Sequence, residues 1–257
     1  MTRSAVWKQV EVLRKAGYEI EALTRRGYRL LDLPDKLLPY EIRDGLGTRV
    51  LGRREIRHAE TTASTNQTAK ELAGDGAPEG TLVVAEAQTR GRGRLDRRWF
   101  SPPSGGLYAS LILRPALPPG EAHHLVLLAA VAVAEALRGV TGLQVSVKWP
   151  NDLMVGGRKL AGILTETATQ MDAVEYVVIG LGLNVNIPRE RFPEELRSVA
   201  TSILAETGRV TSRAFLMRRI LESLETSYQA FRVEGFAPVR SRWKSLMGME
   251  GARVTIR

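Results

Sequence analysis

Cysteine is absent from the 257 residues, so neither a disulfide nor a thiolate metal site is available to this chain. Histidine is nearly as scarce: His58, His123 and His124 are the only three, and no HExxH-type spacing exists. That pattern argues against a zinc centre. Long apolar runs are missing as well. The longest uninterrupted one, residues 125–134, is too short to span a bilayer and suits a buried helix. The N-terminus carries charged residues throughout and no apolar signal core, so a cytoplasmic protein without membrane association is expected. Acidic residues are outnumbered: 28 Asp and Glu face 37 Lys and Arg, a formal net charge of +9. The excess favours polyanionic partners, namely nucleic acid, a nucleoside triphosphate or an acidic protein, or else marks only an arginine-rich surface. A hydrophobic content of 44% is enough for a sizeable core and excludes a mainly disordered chain. The length suits one large domain plus a smaller piece.

The smaller piece comes first. Val6, Val10 and Leu13 recur at i, i+4 and i+7, which predicts a helix over residues 1–16 closed by Gly17 in a left-handed conformation. Tyr18, Ile20 and Ala22 then alternate with polar residues, Thr24-Arg25-Arg26-Gly27 is a turn, and Tyr28 and Leu30 resume the alternation as a β-hairpin. A helix with a basic hairpin is half of a winged helix-turn-helix, and such a piece is too small to bury a core alone. Residues 1–33 are therefore expected to be a partial winged helix lacking its first two helices, and with them the scaffold that docking on DNA requires. Residues 34–47 have the prolines and glycines of a linker.

Residues 48–246 alternate strands at 81–87, 107–113, 144–148, 159–167 and 175–185 with helices at 65–73, 121–140 and 212–234. The irregular crossings and a hairpin turn at Val155-Gly156-Gly157-Arg158 predict an α+β domain with a mixed sheet and flanking helices, not a doubly wound parallel one. Residues 251–257 begin an alternating strand, so 247–257 read as the opening of a truncated C-terminal domain.

Five arginines lie within nine residues in Gln88-Thr89-Arg90-Gly91-Arg92-Gly93-Arg94-Leu95-Asp96-Arg97-Arg98-Trp99, directly after a predicted strand. Glycines let backbone approach a ligand, and arginines offer forked donors to phosphate or carboxylate. Such a loop is expected to repel itself when empty and to order around an anion. It is no P-loop, since no Gly-Lys-Ser/Thr follows, and no dinucleotide fingerprint, since Asp96 stands at the third glycine. An RG-rich nucleic-acid-binding or merely solvated loop fits the same residues.

In Lys148-Trp149-Pro150-Asn151-Asp152-Leu153 a strand delivers a lysine and an aromatic, and proline ends it and aims Asn151 and Asp152. An aspartate there can hold Mg²⁺ or orient an amine, or simply belong to an Asn-Asp turn. Lys159 opens the next strand, where Ala161 and Gly162 are small enough for a flat ligand to approach. Ser64-Thr65-Asn66 is either a helix cap or a set of donors and acceptors for a small polar ring. Ile179-Gly180-Leu181-Gly182-Leu183-Asn184 is a strand whose glycines mark a bulge or a ligand lying on the backbone.

Taken in order and spacing, Ser-Thr-Asn, Gly-Arg-Gly-Arg-x-x-Arg-x-Trp, Lys-Trp-Pro-Asn-Asp, Arg-Lys-Leu-Ala-Gly and Gly-Leu-Gly-x-Asn resemble the biotin protein ligase family and span about half of the chain. Outside them, residues 4–30 resemble the recognition helix and wing of its bifunctional members, and 251–257 the start of their SH3-like domain. The resemblance implies a class II synthetase-like catalytic domain that makes biotinyl-5′-AMP from biotin and MgATP. Biotin would then pass to a lysine of the biotin carboxyl carrier protein of acetyl-CoA carboxylase or of a similar enzyme. It also implies a homodimer. Ser64, Thr65, Asn66, Gln88, Arg92, Gly93, Arg94 and Lys159 would face biotin, and Arg94, Arg97, Trp99, Lys148, Asn151 and Asn184 the nucleotide. Lys159, Arg94 and Asp152 would carry the chemistry, with Asp152 near Mg²⁺ or the acceptor amine and Trp99 over the adenine. Asp96 departs from the glycine often found there and lowers the local charge, which bears on loop closure. Lipoate ligases share the fold and acyl-adenylate chemistry, but the Gly-Arg-Gly-Arg and Lys-Trp-Pro-Asn-Asp pair favours biotin. A DNA-binding repressor is the reading from another class.

Overall fold

The computed structural model describes residues 2–24, 26–32 and 34–247, and only the backbone of Asp96. The chain divides into two compact units, Met1–Lys36 and Leu37–Arg257.

In the first unit α1 (Arg3–Lys15) starts at Thr2, whose hydroxyl accepts from the Ala5 amide. It ends as the sequence suggests. Gly17 takes φ +103°, the Gly17 amide donates to Arg14 O, and the Tyr18 amide donates to Leu13 O, a Schellman closure. β1 (Glu19–Leu23) and β2 (Gly27–Asp32) pair antiparallel, setting Ile20 against Leu30 and Ala22 against Tyr28. Arg29 and Glu21 form an ion pair at 2.7 Å. Arg25 of the predicted turn lies outside the described residues, as does Leu33.

The second unit begins earlier than the sequence reading places its catalytic domain. Leu37, Ile42 and Leu46 are buried core residues. Pro39 opens the short helix α2 (Pro39–Arg43), a use of proline that looks like linker composition but starts a helix. The stretch 37–47, read as linker, is therefore folded into this unit. Three successive amides, of Arg49, Val50 and Leu51, donate to the Glu225 carboxylate at 2.6 to 2.9 Å and fix the chain that follows.

The sheet is built from β3 (Ile56–Thr62), β4 (Leu82–Gln88), β5 (Gly106–Leu113), β6 (Ser146–Lys148), β7 (Asp152–Val155), β8 (Arg158–Gln170) and β9 (Ala173–Asn184). Their order is β3-β4-β5-β9-β8-β7-β6, with β3 and β4 parallel and every other neighbour antiparallel. This is the expected α+β mixed sheet. Gly156 and Gly157 take positive φ in the predicted turn between β7 and β8. The helices are α3 (Thr65–Gly74), α4 (His124–Thr141), α5 (Ile203–Thr207), α6 (Arg213–Glu234) and α7 (Ala237–Leu246). The strand and helices read from sequence recur with displaced ends. The polar edge strand β3, the four-residue β7 and the short helices α2, α5 and α7 carry too little periodicity to be read. Residues 251–257 lie outside the described residues.

Strand alternation divides the unit. Leu107, Ala109, Leu111 and Leu113 of β5 and Val177, Ile179, Leu181 and Leu183 of β9 join the main core with α4, α6 and α7. On the other face Ile112 and Val178 pack with Ala69 and Ala73 of α3 in a smaller cluster. The apolar run 125–134 belongs to a longer stretch, Pro119–Thr141, that has the length and hydropathy of a membrane span among the described residues. It is a core helix here: its Leu, Ala and Val side chains are buried in the main cluster.

A charged pair is locked beneath β4. Arg213, at the start of α6, is 1% exposed, and it donates to Glu86 at 2.7 Å and to Gly106 O at 2.9 Å. Glu86 also meets the Leu37 amide at 2.8 Å and His58 at 3.2 Å. Burial alone would raise the Glu86 pKa. The His58 hydrogen bond, the Arg213 charge and the Leu37 amide outweigh it and hold the group at about 2, below its ordinary 4.5. The folded value lies under the unfolded one, so the stabilisation is complete above the unfolded pKa and is lost as pH falls through the folded one. Arg213→Met leaves Glu86 buried without its cation and is expected to cost about 3–5 kcal/mol in urea unfolding at neutral pH. The gap from the parent protein should narrow as pH drops below 4.5; a gap that ignores pH would show that this pair is not its source.

Candidate active site

A cavity of about 620 Å³ opens on the face of the sheet opposite the main core, inside the range of about 300–1,000 Å³ typical of small-molecule sites. Its floor is set by register. Tyr108, Gly182 and Gly162 stand in one row across β5, β9 and β8, and Ser110, Gly180 and Leu164 in the next. Glycine is required at two of these positions by what lies on them. A Cβ on Gly180 would collide with the Asn66 amide, and one on Gly182 would come within 2.5 Å of the Trp99 indole.

At the Gly180 end the groups are neutral, buried and mutually bonded. Ser64 occupies the N-cap position of α3 without a capping side-chain hydrogen bond, so the helix-cap reading of the Ser-Thr-Asn motif fails for its hydroxyl. The Thr65 amide and hydroxyl both reach Gln88 Oε1, at 2.9 and 3.2 Å. Ser110 Oγ donates to Asn66 Oδ1 at 2.6 Å and to Thr65 Oγ1 at 2.9 Å. Asn66 Nδ2 donates to Glu166 at 3.0 Å. Gln88 Nε2 donates to Ser101 Oγ at 3.0 Å, which ties the motif to the far end of the arginine loop.

That loop is an ordered excursion. Arg92 bridges Arg98, the Gly93 amide donates to Arg97 O at 2.7 Å, and the Trp99 amide donates to Gly91 O at 2.9 Å. A Cβ at Gly91 would lie 2.6 Å from Ser101 Oγ, so the return strand needs glycine there. Self-repulsion is offset by acceptors on the sheet: Arg92 pairs with Glu166 at 3.5 Å, and Arg94 donates to Asn151 Oδ1 at 3.4 Å. Leu95 at the tip has φ +54° and is 84% exposed. The Asp96 side chain, invoked for loop closure, lies outside the described residues.

At the Gly182 end the site is cationic. Lys159 Nζ pairs with Asp152 at 2.7 Å and lies 5.4 Å from the Trp99 ring centroid. Its backbone is fixed by a segment the sequence reading leaves without a role: the Lys159 amide donates to Val199 O at 2.8 Å and Thr201 donates to Lys159 O at 2.9 Å. Lys148 and Asp152 face each other across the turn that contains the cis Trp149–Pro150 peptide. Asn151 Nδ2 donates to Ile163 O at 2.7 Å. Further along β9 the buried Asn184 amide donates to Thr201 O at 2.9 Å.

Every residue singled out from sequence therefore lines this one cavity: Ser64, Thr65, Asn66, Gln88, Arg92, Gly93, Arg94, Arg97, Trp99, Lys148, Asn151, Asp152, Lys159 and Asn184. One detail differs. The flat group lying on Gly162 and Gly182 is the chain's own Trp99 indole. Glu166, Ser110 and the 196–200 wall are missed. Ser110 and Glu166 were detectable as polar residues on the alternate face of apolar strands, and the wall has no periodic signal. Among the described residues no cluster of three or more His, Cys, Asp or Glu side chains is placed to hold a metal, and Asp152 is the only carboxylate on the cavity wall.

Residues 58–184 match the biotin/lipoate A/B protein ligase family, and residues 1–29 match a helix-turn-helix domain family. The chain is 47% identical over 244 residues to a bifunctional ligase/repressor BirA of Bacillus spizizenii, covering 95% of this chain and 75% of that protein. The Escherichia coli protein of the same name is 33% identical, covering 96% and 74%. A biotin protein ligase from Aquifex aeolicus, solved in complex with biotin and ATP, superposes with a TM-score of 0.65 at 30% identity, covering 76% of this chain and 79% of that one.

Gly182→Ala tests the floor. The new methyl group must displace the indole, at an expected cost of about 1–3 kcal/mol. With Trp7, Trp149 and Trp243 changed to phenylalanine, the remaining Trp99 emission should shift to the red. Unchanged emission and stability would mean that the indole does not rest on β9.

Proposed function

The chain belongs to the biotin protein ligase family, with the helix-turn-helix region of its bifunctional ligase/repressors, and on that premise we propose how its cavity carries the reaction. It joins biotin to a carrier-protein lysine through biotinyl-5′-AMP made from biotin and ATP. The observation that carries the assignment of residues is the make-up of the cavity along β9: oriented amides and hydroxyls of Thr65, Asn66 and Gln88 at Gly180, Lys159 at Gly182 with Lys148 beyond it, and the loop arginines along both. A small polar ring suits the first end and a nucleotide the second, with Lys159 at the junction.

Thr65, Asn66 and Gln88 have both donors and acceptors in fixed orientation, so they recognise the ureido ring, with Ser64 adding a hydroxyl that is not spent on capping. Arg92 and Gly93 cover this end. Lys159 and Arg94 neutralise charge as the biotin carboxylate oxygen bonds to the α-phosphorus and pyrophosphate leaves. Arg97, Lys148, Asn151 and Asn184 line the nucleotide end, where the Trp99 ring offers a stacking face. Magnesium enters with ATP as the substrate complex. A single carboxylate already paired with Lys159 suits a metal held chiefly by phosphates and water. In the second step the carrier amine attacks the acyl carbon, AMP leaves, and Asp152 is placed to steer or deprotonate that amine. The loop keeps water from the mixed anhydride.

The acceptor we propose is the biotin carboxyl carrier protein of acetyl-CoA carboxylase or of a similar enzyme, supported by relatives named for that carboxylase. A homodimer and a cytoplasmic location belong to the same reading. A second role, in repression, is supported by the helix-turn-helix match and by the exposed basic residues of α1 and β2.

The test is incubation with biotin, MgATP and a carrier domain, followed by intact mass: one added biotin per carrier is expected. Lys159→Ala should abolish adenylate formation, and near-normal pyrophosphate release by it would refute the role given to that lysine. Arg94→Gly should let biotinyl-AMP escape into solution, and strict retention would count against the loop as a cover. Exchange driven by lipoate rather than biotin would move the assignment to the other branch of the family.

A further inference from the structure

We propose that Glu166 is a positioning residue that ties the arginine loop to the Asn66 end of the cavity and so sets how firmly that end holds its ligand. The inference deepens the ligase reading and, for the ligand, rests on it. Glu166 projects from β8 on the face that carries Gly162 and Leu164, beside Val178 of β9. Its two oxygens are divided among three side chains, two of α3 and one of the arginine loop. Oε2 accepts from Asn66 Nδ2 at 3.0 Å, and Oε1 takes Lys70 at 2.9 Å and Arg92 at 3.5 Å. One carboxylate thus bonds the Ser-Thr-Asn motif, the helix that follows it and the loop that covers it.

The consequences follow from orientation. Because Nδ2 of Asn66 is taken by Glu166 and Oδ1 by Ser110, the amide cannot turn over. The amide can occupy that position only because Gly180 has no side chain. Among the described residues Arg92 is the loop cation paired with a carboxylate of the sheet, four residues beyond the end of β4. Glu166 is only partly exposed, and despite a burial effect that works to raise it, its pKa is lowered by Lys70, by Asn66 and by the Arg92 charge. It therefore remains an anion at neutral pH, which both cations need.

The plainer account is a salt bridge that merely clips α3 to β8 through Lys70. The two accounts part company on which partner matters. Loop arginines are trypsin sites, so cleavage after Arg94 and Arg97 reports how often the loop opens, with no ligand or activity required. In Glu166→Gln, which keeps the side-chain shape, cleavage at those sites should rise about fivefold or more, while cleavage after the exposed Arg209 stays at the parental rate and certifies the fold. Lys70→Met should remain within about twofold of the parent at all three sites. With biotin and MgATP, Glu166→Gln should also lose biotinyl-AMP on gel filtration faster than the parent. Without ligand, adding Arg92→Ala should raise cleavage after Arg94 and Arg97 little further, because the two side chains act as one contact. Parental cleavage in Glu166→Gln, equal opening in Lys70→Met, or additive increases in cleavage in the double variant would each overturn the latch. A parent that makes no adenylate would sink the ligase reading, and the cleavage rates would still decide whether Glu166 holds the loop.

Discussion

Asn66 can lie flat on β9 only because residue 180 has no side chain, and the Trp99 indole can lie on the same strand only because residue 182 has none. These two close approaches fix everything above them. Asn66 brings the start of α3 down to the sheet, and with it Thr65 and Gln88. Trp99 brings down the return of the arginine loop, and Lys159 lies against its ring. The same strand, on its alternate residues, is buried in the core against α4 and α6. One strand therefore serves as ligand floor on one face and as packed centre on the other, which gives the site the stiffness of the core.

The parts of the fold that were legible in the sequence are those with a strong period or a strict backbone demand. The apolar run of α4, the Gly17 end of α1, and the Gly156–Gly157 turn are of that kind. The candidate site was legible through chemistry in place of periodicity: arginines and glycines in a fixed order mark a loop built for an anion wherever the sheet happens to lead it. What could not be read was pairing. Nothing local announces that Glu166, two strand positions beyond Leu164, will meet Arg92 and Asn66, or that Val199 will run beside Lys159. Composition misled once. Prolines and glycines between 34 and 47 look like a linker, yet Leu37, Ile42 and Leu46 have no solvent-facing alternative once the core of α6 is beside them.

The net positive charge acquires a location. Among the described residues the cavity wall carries arginines of the loop together with Lys148 and Lys159, against a single carboxylate. Two other buried or half-buried acids stand apart from that wall, Glu86 beneath β4 and Glu166 on β8, each with its own cations. Their lowered pKa values have a common cause, charge and hydrogen bonds outweighing burial, but different consequences. Glu86 joins α6, β4 and the start of the unit and acts on stability. Glu166 joins the arginine loop to α3 and the sheet, and in the proposal above it acts on what the loop covers.

Lysine is a poor choice for a rigid site, since its long side chain loses much rotamer freedom when it is ordered. At position 159 most of that cost is met during folding. The backbone is held on both sides by Val199 and Thr201, and the side chain runs between Asp152 and the Trp99 ring. Asp152 gives the ammonium a countercharge inside a partly closed cavity, so the cation is not left unpaired while the site waits for substrate. A carboxylate or phosphate oxygen that enters at the junction competes with Asp152 for the same nitrogen, and it meets a lysine already aimed at it. The exchange releases the aspartate as a negative group arrives, so under the proposed mechanism a free carboxylate is in place before the acceptor amine attacks in the second step. With the roles proposed for Lys159 and Asp152, the 2.7 Å ion pair is the resting form of two groups that work in succession.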